Sequence, residues 1–451
     1  MNETLSVLQH TLQASVSPYH CIMEASRQLE EAGFQPLTLT GTWNLKEEQG
    51  YYLPVFDSSL MAFTIGKQNG SMPSLRMEAA HTDWPCLKLK PSPEVTTGRY
   101  GKLNVEVYGG PILNTWMDRP LSMSGKVCIA GSDPFTPDVR FINFKRPLLT
   151  VPNLAIHMNR EMNKGVEYNP QVDLLPLLAD VSFDEYDTHT TYDAQTASEN
   201  AEEQPETVEK PTLAALAAEA AGVDAETILG EDLFLYTRQE GKMIGAKGEF
   251  VLSPRLDDLQ SAFALTKAFT ESTPAEYINV CAVFDNEEVG SGTRQGADST
   301  FLEDILQRIA EGLQADHSSY LRWVADSFLI SADNAHAVHP NHPEKADPAN
   351  RPYLNGGIVI KYHGSQKYTT DGISAAKMKD YCERAKVPYQ TYANRSDIAG
   401  GSTLGNISTA HVSVSSVDIG LPQLAMHSAV ETAGMKDTEY AVRALKEFWG
   451  E

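Results

Sequence analysis

The chain has 451 residues, 41% hydrophobic and 21% charged, enough apolar material for a sizeable globular core in two or three domains. With 36 Lys plus Arg against 60 Asp plus Glu, the formal charge of −24 disfavours nucleic acid and anionic membrane as partners, and it works against long-range attraction of acidic substrates. Five scattered cysteines with no C-x-x-C pair, no basic-then-apolar leader and no apolar run near the ~20 residues of a membrane span lead us to expect a cytoplasmic protein with reduced thiols.

The first ~35 residues carry apolar positions at helical spacing, with Ser17 as cap and Pro18 as first residue of a helix that stops near Gly33. From 50 to 90 the pattern turns to short β-like runs, "AFTIG" and "SLRMEAAHTD", and strand-like segments punctuated by Gly and Pro dominate 96 to 156. Residues 184–211, "DEYDTHTTYDAQTASENAEEQPETVEKP", are acidic, polar and nearly free of aliphatic side chains, which predicts a surface loop. Thr212 and Gly222 then bracket a short helix, "TLAALAAEAAG". Beyond about 240, strands and helices alternate to the end of the chain, the rhythm of an open α/β sheet covered by helices. The first stretch and the last share apolar strands that end abruptly in ionisable residues, and the β-rich middle does not. The simplest architecture is one α/β domain in two sequence pieces, 1–92 and 244–451, interrupted by an inserted β-rich domain over 93–243.

Five segments place His or carboxylate just after a strand-like run. "MEAAHTDWP" gives His81 and Asp83, "FVLSPRLDDL" gives Asp257 and Asp258, "VCAVFDNEEVGS" gives Glu287 and Glu288, "SFLISADNAHA" gives Asp333, and "LPQLAMHSA" gives His427. In open α/β sheets the ligand lies beyond the carboxyl ends of the strands. Carboxylates gathered there within a few Å cannot all stay ionised unless divalent cations join them. Two histidines and three carboxylates, one of them bridging, give two metal ions three protein ligands each, as in two-metal hydrolytic sites. Of two adjacent glutamates, one can bind metal while its neighbour acts as general base, because a strand-end loop lets consecutive side chains converge. Zinc, cobalt and manganese all suit this donor set.

With these motifs in order, joined by "AAHTDWPCLKLKP", "VPNLAIHMNR", "SADNAHAVHPN", "GGIVIKY" and "LPQLAMHSAVE", the chain resembles the aspartyl aminopeptidases over almost its full length. These are cocatalytic metalloaminopeptidases of the phosphorylase/hydrolase-like α/β fold. The resemblance implies that His81, Asp257 and Asp333 hold one metal, and that Asp257 as bridge, Glu288 and His427 hold the second. It implies that Asp83 orients His81, and that Glu287 is the general base toward a water held between the metals. It makes the insert a dimerisation domain, with dimers assembling into a tetrahedral homododecamer on peptide substrates, and has His157 reach a neighbouring subunit's site. It also assigns Lys361, set in a β-like apolar run, to the side-chain carboxylate of an N-terminal Asp or Glu. A local cation is needed for that task, since salt screens the net charge beyond ~8 Å. Asp258, Trp84 and Asn334 depart from the family's common residues, and Trp84 is expected to alter the pocket. The alternatives are an aminopeptidase of broad or neutral specificity, a related dinuclear deacylase or carboxypeptidase, and an inactive metal-stabilised assembly protein. Glu287 argues against the last, since a structural site needs no base. His336, His339 and His342 in "NAHAVHPNHP" read as supporting or structural residues.

Overall fold

The computed structural model describes residues 3–67, 74–181, 212–273 and 276–450, so the acidic stretch 184–211 lies outside the described residues. The predicted caps are present. Ser17 precedes the helix Pro18–Glu31 and accepts from the His20 N–H, and Thr212 caps Leu213–Ala221, which stops at Gly222 in the left-handed region.

Contacts divide the chain into two compact units, Met1–Cys86 with Tyr108–Ile112 and Gln239–Glu451, and Leu87–Val107 with Leu113–Arg238. These joints fall several residues before the expected 93 and 244, and the five residues Tyr108–Ile112 belong to the first unit. The second unit carries a six-stranded sheet in the order Thr136–Asn143, Leu121–Asp133, Ile228–Thr237, Cys86–Thr97, Tyr100–Tyr108, Leu177–Asp180.

The first unit is built on a nine-stranded mixed sheet. At its centre Ile278–Phe284, Leu75–His81 and Phe328–Ala332 lie side by side and parallel, and Ser415–Gly420 continues the set. All seven residues of Ile278–Phe284 are buried. Cys281 and Val283 face one core, with Phe269, Leu445 and Trp449, while Val280, Ala282 and Phe284 face the other, with Phe301, Ile305 and Ile309. A central parallel strand covered on both faces therefore reads as a nearly continuous apolar run, interrupted here by Asn279, whose amide donates to the Trp449 carbonyl at 3.1 Å. A second sheet of five short strands includes Phe250–Ser253, Glu431–Gly434, Pro422–Leu424 and Ala335–His336.

Buried polar residues interrupt these strands at Glu78, Asn279, Ser331 and Asp418. Glu78 is fully buried between Cys281 and Ile330 of the flanking strands, and neither carboxyl oxygen has a partner among the described residues. Burial pushes its pKa well above the usual range, so the protein holds it as the neutral acid. A raised carboxyl pKa contributes stability below its unfolded value and loses it as pH rises toward the folded one. Glu78→Met should therefore raise stability by about 1–3 kcal/mol, the cost of a buried unsatisfied polar group. The gain should grow with pH in denaturant melts, and a melt unchanged between pH 5 and 9 would show that Glu78 has found a partner.

Candidate active site

The three adjacent parallel strands deliver their ends to one place. His81 is the last residue of Leu75–His81, Glu287 and Glu288 form a turn just after Ile278–Phe284, and Asp333 directly follows Phe328–Ala332. The other two contributions do not come from the large sheet. Asp257 and Asp258, joined by a cis peptide bond, stand with non-helical φ/ψ at the head of Leu256–Thr270, after a strand of the small sheet. His427 lies in the connection between two other strands of that sheet, at φ 68°. A non-glycine residue held there is strained, and such strain persists only where its surroundings fix it.

The ring nitrogens show how the pieces converge. His81 Nε2 lies 3.9 Å from Asp257 Oδ1 and 3.9 Å from Asp333 Oδ1. His427 Nε2 lies 3.6 Å from Asp257 Oδ2 and 3.5 Å from Glu288 Oε2. The two oxygens of Asp257 thus face two different imidazoles. Asp258 is turned differently, with Oδ2 accepting from the His81 backbone N–H at 3.4 Å. Donor atoms of His81, Asp257, Asp258 and Asp333, and those of Asp257, Glu288 and His427, lie within 4.8 Å of one another, as do those of His81, Glu287 and Glu288. Each imidazole has an acceptor behind it. His81 Nδ1 is 3.1 Å from the Asp83 carbonyl and His427 Nδ1 is 3.0 Å from the Gly110 carbonyl. With the proton on Nδ1, both rings present an Nε2 lone pair to the cluster.

Asp83 has partners besides His81. Its carboxylate, fully buried, accepts the backbone N–H groups of Glu287 at 3.1 Å and Glu288 at 3.2 Å and the Tyr108 hydroxyl at 2.8 Å, and lies 3.4 Å from His81 Nδ1. Tyr108 in turn accepts from Asn286 Nδ2. Glu431 plays the matching part on the other side, accepting the N–H of Asp257 at 3.0 Å and of His427 at 2.8 Å. Sequence reasoning missed Tyr108, Gly110 and Glu431. Only the acid at the end of "HSAVE" offered a signal, and it was a weak one. Gly109 adds a steric reason for its type: at φ 71°, a Cβ there would stand 3.1 Å from the Glu288 Cβ.

The remaining expected residues fall in different places. Lys361 is 2% exposed and donates to the Asp333 carbonyl at 2.7 Å and to Asp333 Oδ2 at 3.2 Å, while lining the same pocket as the cluster. Asn334 donates to the Leu256 carbonyl and to Gln423 Oε1, both at 2.9 Å, bracing the segment that carries Asp257. Trp84 is buried with the Arg255 guanidinium 5.5 Å from its ring and does not line that pocket, contrary to the expectation that it shapes it. His157 lies in an exposed turn of the second unit.

Without cations the cluster works against itself. Burial, then repulsion from Asp333, pushes Asp257 up to about 6, and burial with the charges of Asp333, Asp83 and Asp257 pushes Glu287 up to about 8. Burial raises Glu288, Asp258 and Glu431 well above the carboxylate range, with Asp257 adding to each. Asp333 goes the other way: burial would raise it, but Lys361 and His81 hold it below its ordinary value. Asp257 Oδ1 and Asp258 Oδ1 are buried and have no hydrogen-bond partner among the described residues. Orphaned oxygens, crowded carboxyls and two imidazoles with outward lone pairs fit divalent cations. This yields a test. Groups with raised pKa values stabilise the fold at low pH and lose that contribution as pH rises from their unfolded to their folded values, here from about 4 up to about 6 for Asp257 and about 8 for Glu287. Chelated protein should therefore show a melting temperature that falls across pH 5 to 8, while the metal-loaded protein stays nearly level. Parallel curves in calorimetry would mean that the cluster is not where the cations bind.

Comparison with known proteins agrees with this geometry. The family model described as Aminopeptidase I zinc metalloprotease (M18) matches residues 11–449. A probable M18 family aminopeptidase 2 from Clostridium novyi (strain NT) is 43% identical over 436 residues, 96% of either chain. A chain of the cryo-EM structure of the Ape4 and Nbr1 complex superposes with a TM-score of 0.89 at 33% identity, covering 99% of this chain and 85% of that one. The mApe1 dodecamer of S. cerevisiae shares the fold, with a TM-score of 0.80 at 23% identity over 99% of this chain and 96% of its own. The match along nearly the whole length, together with a buried cluster of His, Asp and Glu, makes this chain a member of the M18 family of zinc aminopeptidases.

Proposed function

We propose that the chain is a dinuclear metal-dependent aminopeptidase that prefers an N-terminal Asp or Glu. The observation that carries the dinuclear reading is Asp257, whose two oxygens face His81 on one side and His427 on the other. One metal would be held by His81, Asp257 and Asp333, and the other by Asp257, Glu288 and His427. When bound, the pair supplies Lewis acidity toward the scissile carbonyl and makes the attacking water more acidic. Glu287 takes the proton from that water and passes it to the departing amine. Asp83 keeps Glu287 and Glu288 in their turn through both backbone N–H groups. Lys361 has three N–H donors, of which two reach Asp333 and the third has no acceptor among the described residues, so it can meet a substrate carboxylate.

The exposed turn of His157 suits a shared assembly. Leu154, Ile156 and Met158 beside it are 49%, 44% and 74% exposed, an apolar run that water alone does not favour. We infer that homodimers form through the second unit, that they build the dodecamer seen in the S. cerevisiae relative, and that His157 serves a neighbour's site as oxyanion donor. Mixed dimers of His157→Ala and Glu287→Gln chains should then recover some activity, and none in dimers shown to be mixed would place His157 outside the neighbour's site.

Turnover of aminoacyl p-nitroanilides by the metal-loaded protein tests the main reading, with Asp and Glu expected to lead. The engagement of Lys361 by Asp333 favours a second reading, an aminopeptidase of neutral specificity, which a lead for Ala or Leu would select. Hydrolysis of N-acetylated substrates without need of a free amine would point to a deacylase.

A further inference from the structure

Asp418 is fully buried and does not line the metal pocket, yet its carboxylate holds two chain segments that do. Its strand Ser415–Gly420 pairs antiparallel with Ile358–Tyr362, Ile419 opposite Ile360, so Asp418 and Lys361 stand together on the other face of the sheet. Asp418 Oδ2 accepts the Thr369 backbone N–H at 2.6 Å and the Thr369 hydroxyl at 2.9 Å. Oδ1 accepts the Thr403 hydroxyl at 2.6 Å, and the Asp418 backbone N–H donates to Thr370 Oγ1 at 2.9 Å. Residues 363–371 join Ile358–Tyr362 to the helix Gly372–Ala385, and 394–403 join Tyr389–Ala393 to the helix Leu404–Ser408. The first segment brings Tyr368 to the pocket and the second brings Gly401, Ser402 and Thr403, beside Lys361. The Tyr368 ring lies 5.1 Å from the Lys361 ammonium. Two details show that the tie governs its surroundings. A threonine just before a helix ordinarily turns its hydroxyl onto the helix's own N–H groups, but that of Thr403 goes to Asp418 instead. A Cβ at position 405 would stand 2.9 Å from both Asp418 oxygens, so only glycine lets this helix come so near.

We propose that Asp418 is a positioning residue for selection of the N-terminal side chain, locking the segments of Tyr368 and Thr403 into one wall beside Lys361. The inference deepens the aminopeptidase reading and rests on it, with Lys361 turned toward the first residue. Loops that carry binding residues need a rigid support, and these two leave different strands and end in different helices. A single buried carboxylate bonded to both fixes them relative to each other and to the sheet. Bonds to an ionised acceptor are strong enough for that task. The wall then keeps its fit to a side chain whether or not one is bound.

The test compares kcat and KM of the metal-loaded enzyme on glycyl p-nitroanilide, whose first residue has no side chain, with those on the aminoacyl p-nitroanilide that the wild type prefers. Thr403→Val keeps the shape and removes the hydroxyl. It should lower the preferred-to-glycyl ratio of kcat/KM by roughly 10-fold, the scale of one hydrogen bond to a buried charge, with the loss mainly in KM. Thr403→Ser keeps the hydroxyl and should restore most of that ratio. If Thr403→Val does not fold, Thr369→Val keeps the backbone N–H on Asp418 and should lower the same ratio several-fold. A ratio that stays at the wild-type value while both rates fall overturns the proposal, because Asp418 then serves stability alone. So does a Thr403→Ser enzyme no better than Thr403→Val, since the loss would follow side-chain bulk and not the tie. A wild type that turns over the glycyl substrate as well as any other also overturns it. No turnover of any p-nitroanilide would instead remove the aminopeptidase reading itself.

Discussion

Glu287→Gln is expected to keep both metals and to lose about 100-fold or more in kcat, the scale of removing a general base. The geometry separates the two adjacent glutamates. Among the described residues, donor atoms of Glu288 group both with His81 and Glu287 and with Asp257 and His427, whereas Glu287 groups only with His81 and Glu288. Glu288 thus has a place in a second ligand set and Glu287 does not. The turn keeps that assignment fixed, since Asp83 holds both backbone N–H groups and Asn286 precedes them in the left-handed region at φ 62°. In the metal-free site, burial and neighbouring carboxylates raise Glu287 to about 8, so cations must lower it before it is an effective base at neutral pH. Metal content measured beside kcat decides the matter. A variant that loses one metal would require Glu287 and Glu288 to exchange roles, and one with full activity would end the general-base assignment.

What the sequence made legible follows from how local each signal is. The ends of Leu75–His81, Ile278–Phe284 and Phe328–Ala332 announce themselves, because largely apolar runs buried on both faces give way there to ionisable and turn-forming residues. The caps at Ser17 and Thr212 are short-range chemistry and were readable for the same reason. The support of the cluster was not readable, since its partners are far apart in the chain. Glu431 accepts from Asp257 across 174 residues, and Asp83 accepts from Glu287 across 204. Tyr108–Ile112 was hidden inside the β-rich stretch, where nothing marks five residues as belonging to the first unit. Asp257 and His427 looked like further strand ends of the large sheet, but short strands of the small sheet carry no distinguishing pattern. The surroundings of Lys361 escaped notice because an apolar strand pattern cannot tell a lysine bound to a buried carboxylate from one awaiting a ligand.

That surrounding changes what Lys361→Ala should do. From the sequence, only acidic substrates are expected to suffer. In the structure the ammonium is fully buried and bonded to Asp333, so its loss also leaves a proposed metal-holding carboxylate without its orienting cation. Removing one partner of a buried pair usually costs several kcal/mol, because a charge remains uncompensated. Here bound metal would supply the compensation, so the destabilisation should be large in chelated protein and small in loaded protein. The catalytic effect should have two parts. A common loss falls on every substrate as Asp333 loosens. An additional loss of roughly 10- to 100-fold in kcat/KM falls on aspartyl and glutamyl substrates alone, the scale of one desolvated charge pair. The ratio of acidic to neutral kcat/KM isolates that second part, since disorder at Asp333 cancels from it. A ratio that stays at the wild-type value while both rates fall would make Lys361 a positioning residue for Asp333 only, and the cation for an acidic N-terminal residue would have to be sought elsewhere around the pocket.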